Sequence, residues 1–297
     1  MAGPGVAALV LVGLLVLVGL LGLGVGSFLT VVVHRVPRGE PLGGLPGACP
    51  ACGHPIRVRD AVPVLSWLRL RGRCRDCGAR IPRRYPAIEL GTAALFVLVA
   101  VVIGGGIGGG GIGGGAIGDG AMGGGSGGAT GLPWAVPAFL YLAAVSVALA
   151  VIDAETRTLP NRIVLPAYPV SLGLLAVASA GSADWGALLR ALAGGAILFV
   201  FYFVLAMAYP PGMGFGDVKL AGVLGLFQGW LGWGPLVLGA VAAFVLGGAF
   251  SVVLLATGRV GRKSGIPFGP WMLAGAWVGV LVGALLWDRY LALVGFA

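Results

Sequence analysis

The chain is organised by its unbroken apolar runs, at about residues 6–33, 87–103, 134–152, 163–180, 187–209, 218–233, 235–257 and 268–287. Each is near or above the roughly 20 residues an α-helix needs to cross hydrocarbon. The pattern predicts an all-α polytopic membrane protein of about eight transmembrane helices. The first run has no basic segment before it, is longer than the apolar part of a secretory leader, and meets no small-residue cleavage site before His34 and Arg35. It is expected to remain as an anchor.

Composition agrees with this pattern. Of the 297 residues, 58% are hydrophobic and 10% charged, and the mean hydropathy of +1.02 excludes a soluble globular domain. The charges orient the helices. Of the 19 Lys and Arg residues, 11 lie between Arg35 and Arg84, and Arg259, Arg262 and Lys263 follow the seventh run. Both loops are therefore expected in the cytoplasm, with both termini outside. The net charge of +9 then has a topological origin. It calls for no nucleic-acid partner, although a basic loop can also touch anionic membrane lipid.

Residues 104–131 are mostly glycine, with no aromatic side chain, and cannot bury enough surface to offset their ordering entropy. They are expected to form an extracytoplasmic linker. It would separate an N-terminal unit, 1–103, from a C-terminal six-helix unit, 132–297. No convincing internal repeat is visible.

The first polar loop, 34–86, carries "CPACGHPIRVRDAVPVLSWLRLRGRCRDCGARIP". Cys49, Cys52, Cys74 and Cys77 are the protein's four cysteines, spaced as two C-x-x-C knuckles of the kind that close a tetrahedral zinc site. In a reducing compartment persistent disulfides are disfavoured, and an iron–sulfur centre is the lesser alternative. Four thiolates fill a structural site, which leaves His54 outside it. Zinc here is expected to fold a small cytoplasmic domain between helices 1 and 2, not to do chemistry.

Acidic residues are few. Asp119, Asp184 and Asp288 fall in outer loops or near the end of the last run, where a solvated charge needs no further account. Asp153 closes the third run in "AVIDAETRTLPN" and Asp217 opens the sixth in "GFGDVKL", so both are expected near the cytoplasmic face at similar depth. Ionisable groups at membrane depth are costly and point to function. Two carboxylates held together share one proton, so one can activate water while the other polarises a peptide carbonyl. The glycines at 212, 214 and 216 suit a sharp backbone turn and close approach of substrate.

These segments resemble the bacterial type IV prepilin peptidases, a branch of the GxGD membrane aspartyl proteases. The likeness runs through "GSFLTVVVHRVPR", the paired C-x-x-C loop, "LRLRGRC", "RYPAIEL", "IDAETRTLPN", "GFGDVKL" and "IPFGPWMLAG". It implies that Asp153 and Asp217 are the catalytic pair, with Glu155 a neighbour that tunes the first. It implies cleavage of the short basic leader of prepilins or pseudopilins after a glycine, at the cytoplasmic face of the bacterial inner membrane. It also implies transfer of a methyl group from S-adenosylmethionine to the new N-terminus, for which the sequence itself offers no nucleotide loop.

Two other classes remain in view. A proton-coupled transporter would also use intramembrane acids, but nearer the bilayer centre and within inverted repeats. A zinc-stabilised scaffold would leave both acids without a role. Lys219 reads equally as an interfacial anchor or a substrate contact, since two residues from Asp217 it does not share that residue's helix face. Glu89 reads equally as an acid complementing a helix N-terminus or as part of the methylating half.

Overall fold

Inside hydrocarbon each backbone N–H and C=O must find a partner within its own segment, so every apolar run becomes helix. The computed structural model describes residues 4–42, 47–49, 51–104, 133–210, 213–258 and 267–295. Almost all of the expected glycine linker, with Asp119, lies outside the described residues, as do Gly212, Arg259, Arg262 and Lys263.

The long helices are α1 (Pro4–Arg35), α3 (Arg84–Val102), α4 (Val136–Thr156), α5 (Asn161–Ser182), α6 (Trp185–Ala208), α7 (Phe215–Leu231), α8 (Trp233–Ala256) and α9 (Gly269–Val294). A short α2 (Leu65–Arg69) lies in the cysteine loop. Among the described residues there are two isolated β-bridges, both in that loop, and no named strand.

Every expected run is thus a helix. Seven of them, all the long ones except α7, are long and apolar enough to cross a membrane, and the chain is a multi-pass membrane protein. α7 differs for a physical reason. It has 17 residues, about 25 Å at 1.5 Å per residue, short of the ~30 Å hydrocarbon core. Every residue from Val218 to Trp230 except Lys219 is buried. α7 is enclosed by protein rather than lipid.

The chain forms two compact units, Met1–Val101 with Ala143–Ala148, and Val102–Leu142 with Leu149–Ala297. In the first, α1 lies against α3 along Gly22 and Gly26. A Cβ on Gly22 would fall 2.6 Å from the Ala93 Cα, and one on Gly26 2.7 Å from the Glu89 Cα. Lipid tails are as apolar as leucine, so membrane helices associate through such close backbone approach.

The second unit repeats the device. Gly194 and Gly195 of α6 face Gly222, Gly225 and Gly229 of α7, while Gly275 and Gly279 of α9 close on Gly239 and Ala243 of α8. α5 also packs on α7, where the Trp230 indole N–H donates to the Ser179 hydroxyl at 2.9 Å. Asp184 caps α6 by accepting the Ala187 N–H at 2.9 Å, a role beyond that of a merely solvated charge. With α7 gripped by α5, α6, α8 and α9, the position of its first turn is fixed.

Candidate active site and metal centre

The four cysteines converge. Their sulfurs all lie within 4.8 Å of one another, with Cys49 Sγ and Cys77 Sγ 3.8 Å apart. One small turn, built twice, brings this about. In the first copy Cys49 N–H donates to His54 O at 2.9 Å, Gly53 N–H to Cys49 O at 2.8 Å, and Ile56 N–H to Gly47 O at 2.7 Å. In the second, Cys74 N–H donates to Ala79 O at 2.8 Å, Gly78 N–H to Cys74 O at 3.0 Å, and Ile81 N–H to Gly72 O at 2.8 Å. Gly53 and Gly78 take φ of 71° and 69°, a region glycine enters without strain.

The chain therefore does contain an internal repeat, G-x-C-x-x-C-G-x-x-I, at Gly47–Ile56 and again at Gly72–Ile81. Its signal lies in the glycine before each knuckle, the glycine after it and the closing isoleucine. His54 stays exposed and contributes its carbonyl, not its ring.

The thiols of Cys49 and Cys52 are pulled in opposite directions. Backbone N–H groups of Ala51 and Cys52 pull the Cys49 thiol down to about 7. Cys52 is pushed up to about 12: the His54 N–H favours its thiolate, but desolvation and the neighbouring Cys77 and Cys49 sulfurs outweigh it.

Glu89 is 8% exposed and stands in the second turn of α3, outside the first turn where an acid would complement the helix end. Its Oε2 accepts the Val64 N–H at 2.7 Å, and the Ser27 hydroxyl donates to it as well. Val64 has φ of 56°, a strained value for a β-branched residue. Glu89 thus ties the foot of the cysteine loop to α1 and α3. Trp67 Nε1–H, donating to Ile81 O at 3.1 Å, fastens α2 to the second knuckle.

In the second unit the two expected aspartates lie within electrostatic reach of one another. Asp153 sits in the last turn of α4, 4% exposed. Its Oδ2 accepts the Gly269 N–H at 3.1 Å. A Cβ on Gly269 would lie 2.6 Å from that same oxygen, so glycine there allows the amide to approach.

Asp217 is the third residue of α7, and its Oδ2 accepts the Gly214 N–H at 3.2 Å, capping its own helix. Its carboxylate is within electrostatic reach of Asp153 and of buried Tyr202. Glu155, two residues past Asp153, is exposed.

The glycines before Asp217 have a more specific cause than a sharp turn. Gly214 has φ of −76°, which any residue can adopt. Gly216 is needed for space, because a Cβ there would lie 2.9 Å from the Leu159 Cβ. Gly269 and Leu159 belong to segments that carry the family resemblance, but their partners are not legible in the sequence because each meets its partner across a long stretch of chain.

A helical membrane protein with a four-thiol knuckle in one unit and two converging carboxylates in the other is the class defined so far. Residues 20–103 match the Bacterial Peptidase A24 N-terminal domain, and residues 139–252 match the Type IV leader peptidase family. The chain belongs to the type IV leader peptidase family.

It is similar to a prepilin leader peptidase/N-methyltransferase of Pseudomonas aeruginosa, 33% identical over 93% of both chains. Proteins of the same description from Aeromonas hydrophila, 33% identical over 93% of both chains, and Burkholderia pseudomallei, 35% identical over 86% of this chain and 81% of the relative, are similar as well. No solved structure matches the chain significantly.

Proposed function

We propose that the protein is a membrane-embedded aspartic endopeptidase, with Asp153 and Asp217 its catalytic pair, that removes the short basic leader of type IV prepilins or pseudopilins after a glycine. It does so at the cytoplasmic face of the bacterial inner membrane. The observation that carries this is the convergence of two carboxylates from separate helices, each gripped by a backbone amide. The similar prepilin leader peptidase/N-methyltransferases supply the substrate class.

The two carboxylates share one proton. The ionised one takes a proton from water, and the resulting oxygen attacks the scissile carbonyl carbon. The protonated one gives its proton to the carbonyl oxygen. Collapse of the tetrahedral intermediate breaks the C–N bond: the amine leaves with a proton from the carboxyl that activated the water, while a hydroxyl of the intermediate returns its proton to the other carboxylate as the new carbonyl forms, which restores the pair. No covalent bond to the protein forms.

Zinc is the metal proposed for the knuckle. Tetrahedral Zn–S bonds of about 2.3 Å place sulfurs about 3.8 Å apart, and Cys49 and Cys77 stand at 3.8 Å. Cys49, Cys52, Cys74 and Cys77 would hold the ion, which would neutralise the thiolates and lock the two turns together. N-methylation of the new N-terminus, with S-adenosylmethionine as donor, is proposed from the relatives' descriptions. In the first unit buried Glu89 is already engaged by Val64 and Ser27.

The reading is tested by incubating the purified protein with a prepilin in lipid and reading the product's N-terminus by mass spectrometry. Loss of the leader at a glycine, absent with Asp153→Asn, is expected. Intact substrate with the native enzyme, or cleavage by Asp153→Asn, would overturn it.

A further inference from the structure

The connection between α4 and α5 meets the start of α7 through contacts that the two carboxylates do not explain. Lys219, two residues beyond Asp217, extends its ammonium to Asn161, the first residue of α5, and donates to its Oδ1 at 2.9 Å. The same ammonium lies 5.0 Å from the centre of the Phe215 ring. The Lys219 carbonyl accepts the Tyr168 hydroxyl at 2.7 Å, and Gly216 makes room for Leu159. The segment just after Asp153 is thereby joined to the first turns of the helix bearing Asp217.

The Lys219 side chain is only partly buried and Asn161 is exposed, so water shares in solvating the ammonium and the amide contact supplies direction rather than relief of a buried charge. A surface anchor would turn such a lysine to water or phosphate. Here it reaches back across the chain to the turn that leaves the Asp153 helix.

We propose that Lys219 and Asn161 are positioning residues for the Asp153–Asp217 pair: their hydrogen bond clasps the α4–α5 connection to α7 and fixes the separation at which the carboxylates share a proton. This rests on the reading of those aspartates as the catalytic pair. Neither clasp residue touches the scissile bond. Their effect passes through geometry, to which catalysis is sensitive at the level of about a hundredfold for a 1 Å misplacement.

The test uses the full-length protein in lipid nanodiscs with a prepilin substrate, measuring kcat, KM and the pH–rate profile. Lys219→Met and Asn161→Leu should each lower kcat by roughly tenfold to a hundredfold with KM nearly unchanged. The double variant should be no worse than the poorer single one, as for two ends of one contact.

The pH–rate bell should narrow, because carboxylates that drift apart titrate more nearly alike. Asn161→Asp keeps the acceptor oxygen and should retain most of kcat. It serves as the folded reference if either apolar variant fails to insert.

A rise in KM with kcat intact would place Lys219 on the substrate and overturn the clasp. So would additive losses, or unchanged kinetics in the Lys219→Met variant. These failures are distinct from failure of the dyad itself, which would appear as cleavage by Asp217→Asn.

Discussion

The two candidate sites are assembled in opposite ways. The cysteine knuckle is local: both turns lie in one loop, each closes on its own backbone hydrogen bonds, and its ligands can be read from spacing. The aspartate pair is built across the chain. Asp153 is held by Gly269, 116 residues away, and the Asp217 helix is tied to Asn161, 58 residues from Lys219. A local thiol site is expected to become rigid on binding a metal, whereas a distant one inherits its rigidity from helix packing. Damage should therefore separate them cleanly.

The sharpest separation is expected from Asp217→Asn. This nearly isosteric change leaves the helix in place but removes the shared proton, and cleavage should fall by about 10²–10⁴-fold. Metal content, measured by elemental analysis, should stay at about one zinc per chain. The converse is Cys74→Ser, which should abolish zinc retention and expose the loop to protease, because metal binding is part of its folding free energy. Some cleavage should survive it. If Cys74→Ser removed cleavage as completely as Asp217→Asn, the two sites would not be independent.

Gly269→Ala sharpens the comparison within the second unit. Its new methyl group would meet Asp153 Oδ2 at 2.6 Å, so the carboxylate must move. A fall in kcat on the order of a hundredfold follows if the shift approaches 1 Å. The protein should still insert normally, as judged by its yield and melting behaviour in detergent.

Glu89→Ala should do less. It strands the Val64 N–H and frees a strained residue, costing about 1–3 kcal/mol of loop stability. Hydrogen exchange at residues 60–70 should rise while zinc is retained.

What the sequence disclosed divides along the same line. The apolar runs named every long helix, since helix is the one way to satisfy backbone polarity in lipid. The cysteine spacing located a metal-ready cluster. The aspartates stood out because acids are rare in such runs, yet their partners did not. Gly269, Asn161 and Leu159 lie within segments that carry the family resemblance, but nothing in those segments names their partners, which appear only through contacts made after folding. The knuckle repeat was present in the residues but needed its flanking glycines and isoleucines to be read with the cysteines. The run that becomes α7 stands apart only as the shortest of the eight, because an apolar run looks the same whether protein or lipid surrounds it.

The smallest effect is expected where the loop's charges pair in the open. Arg75 Nε donates to Asp60 Oδ2 at 2.8 Å, and Nη2 reaches the other oxygen. These hydrogen bonds from Arg75 hold the Asp60 carboxyl below the usual carboxylate range. A group whose pKa is depressed on folding adds stability above its unfolded value, about 3.9 for Asp, and loses it as pH falls through the lower folded value. From pH 5 to 8 the contribution of this pair should therefore be constant. It should also be small, because exposed ion pairs are screened by water and salt. Asp60→Asn should leave zinc content and cleavage unchanged, and any gain in protease sensitivity at pH 7 should vanish between 0.1 and about 1 M salt. A large, salt-independent loss of metal from Asp60→Asn would show instead that this pair, more than the knuckle's own backbone bonds, brings the four sulfurs together.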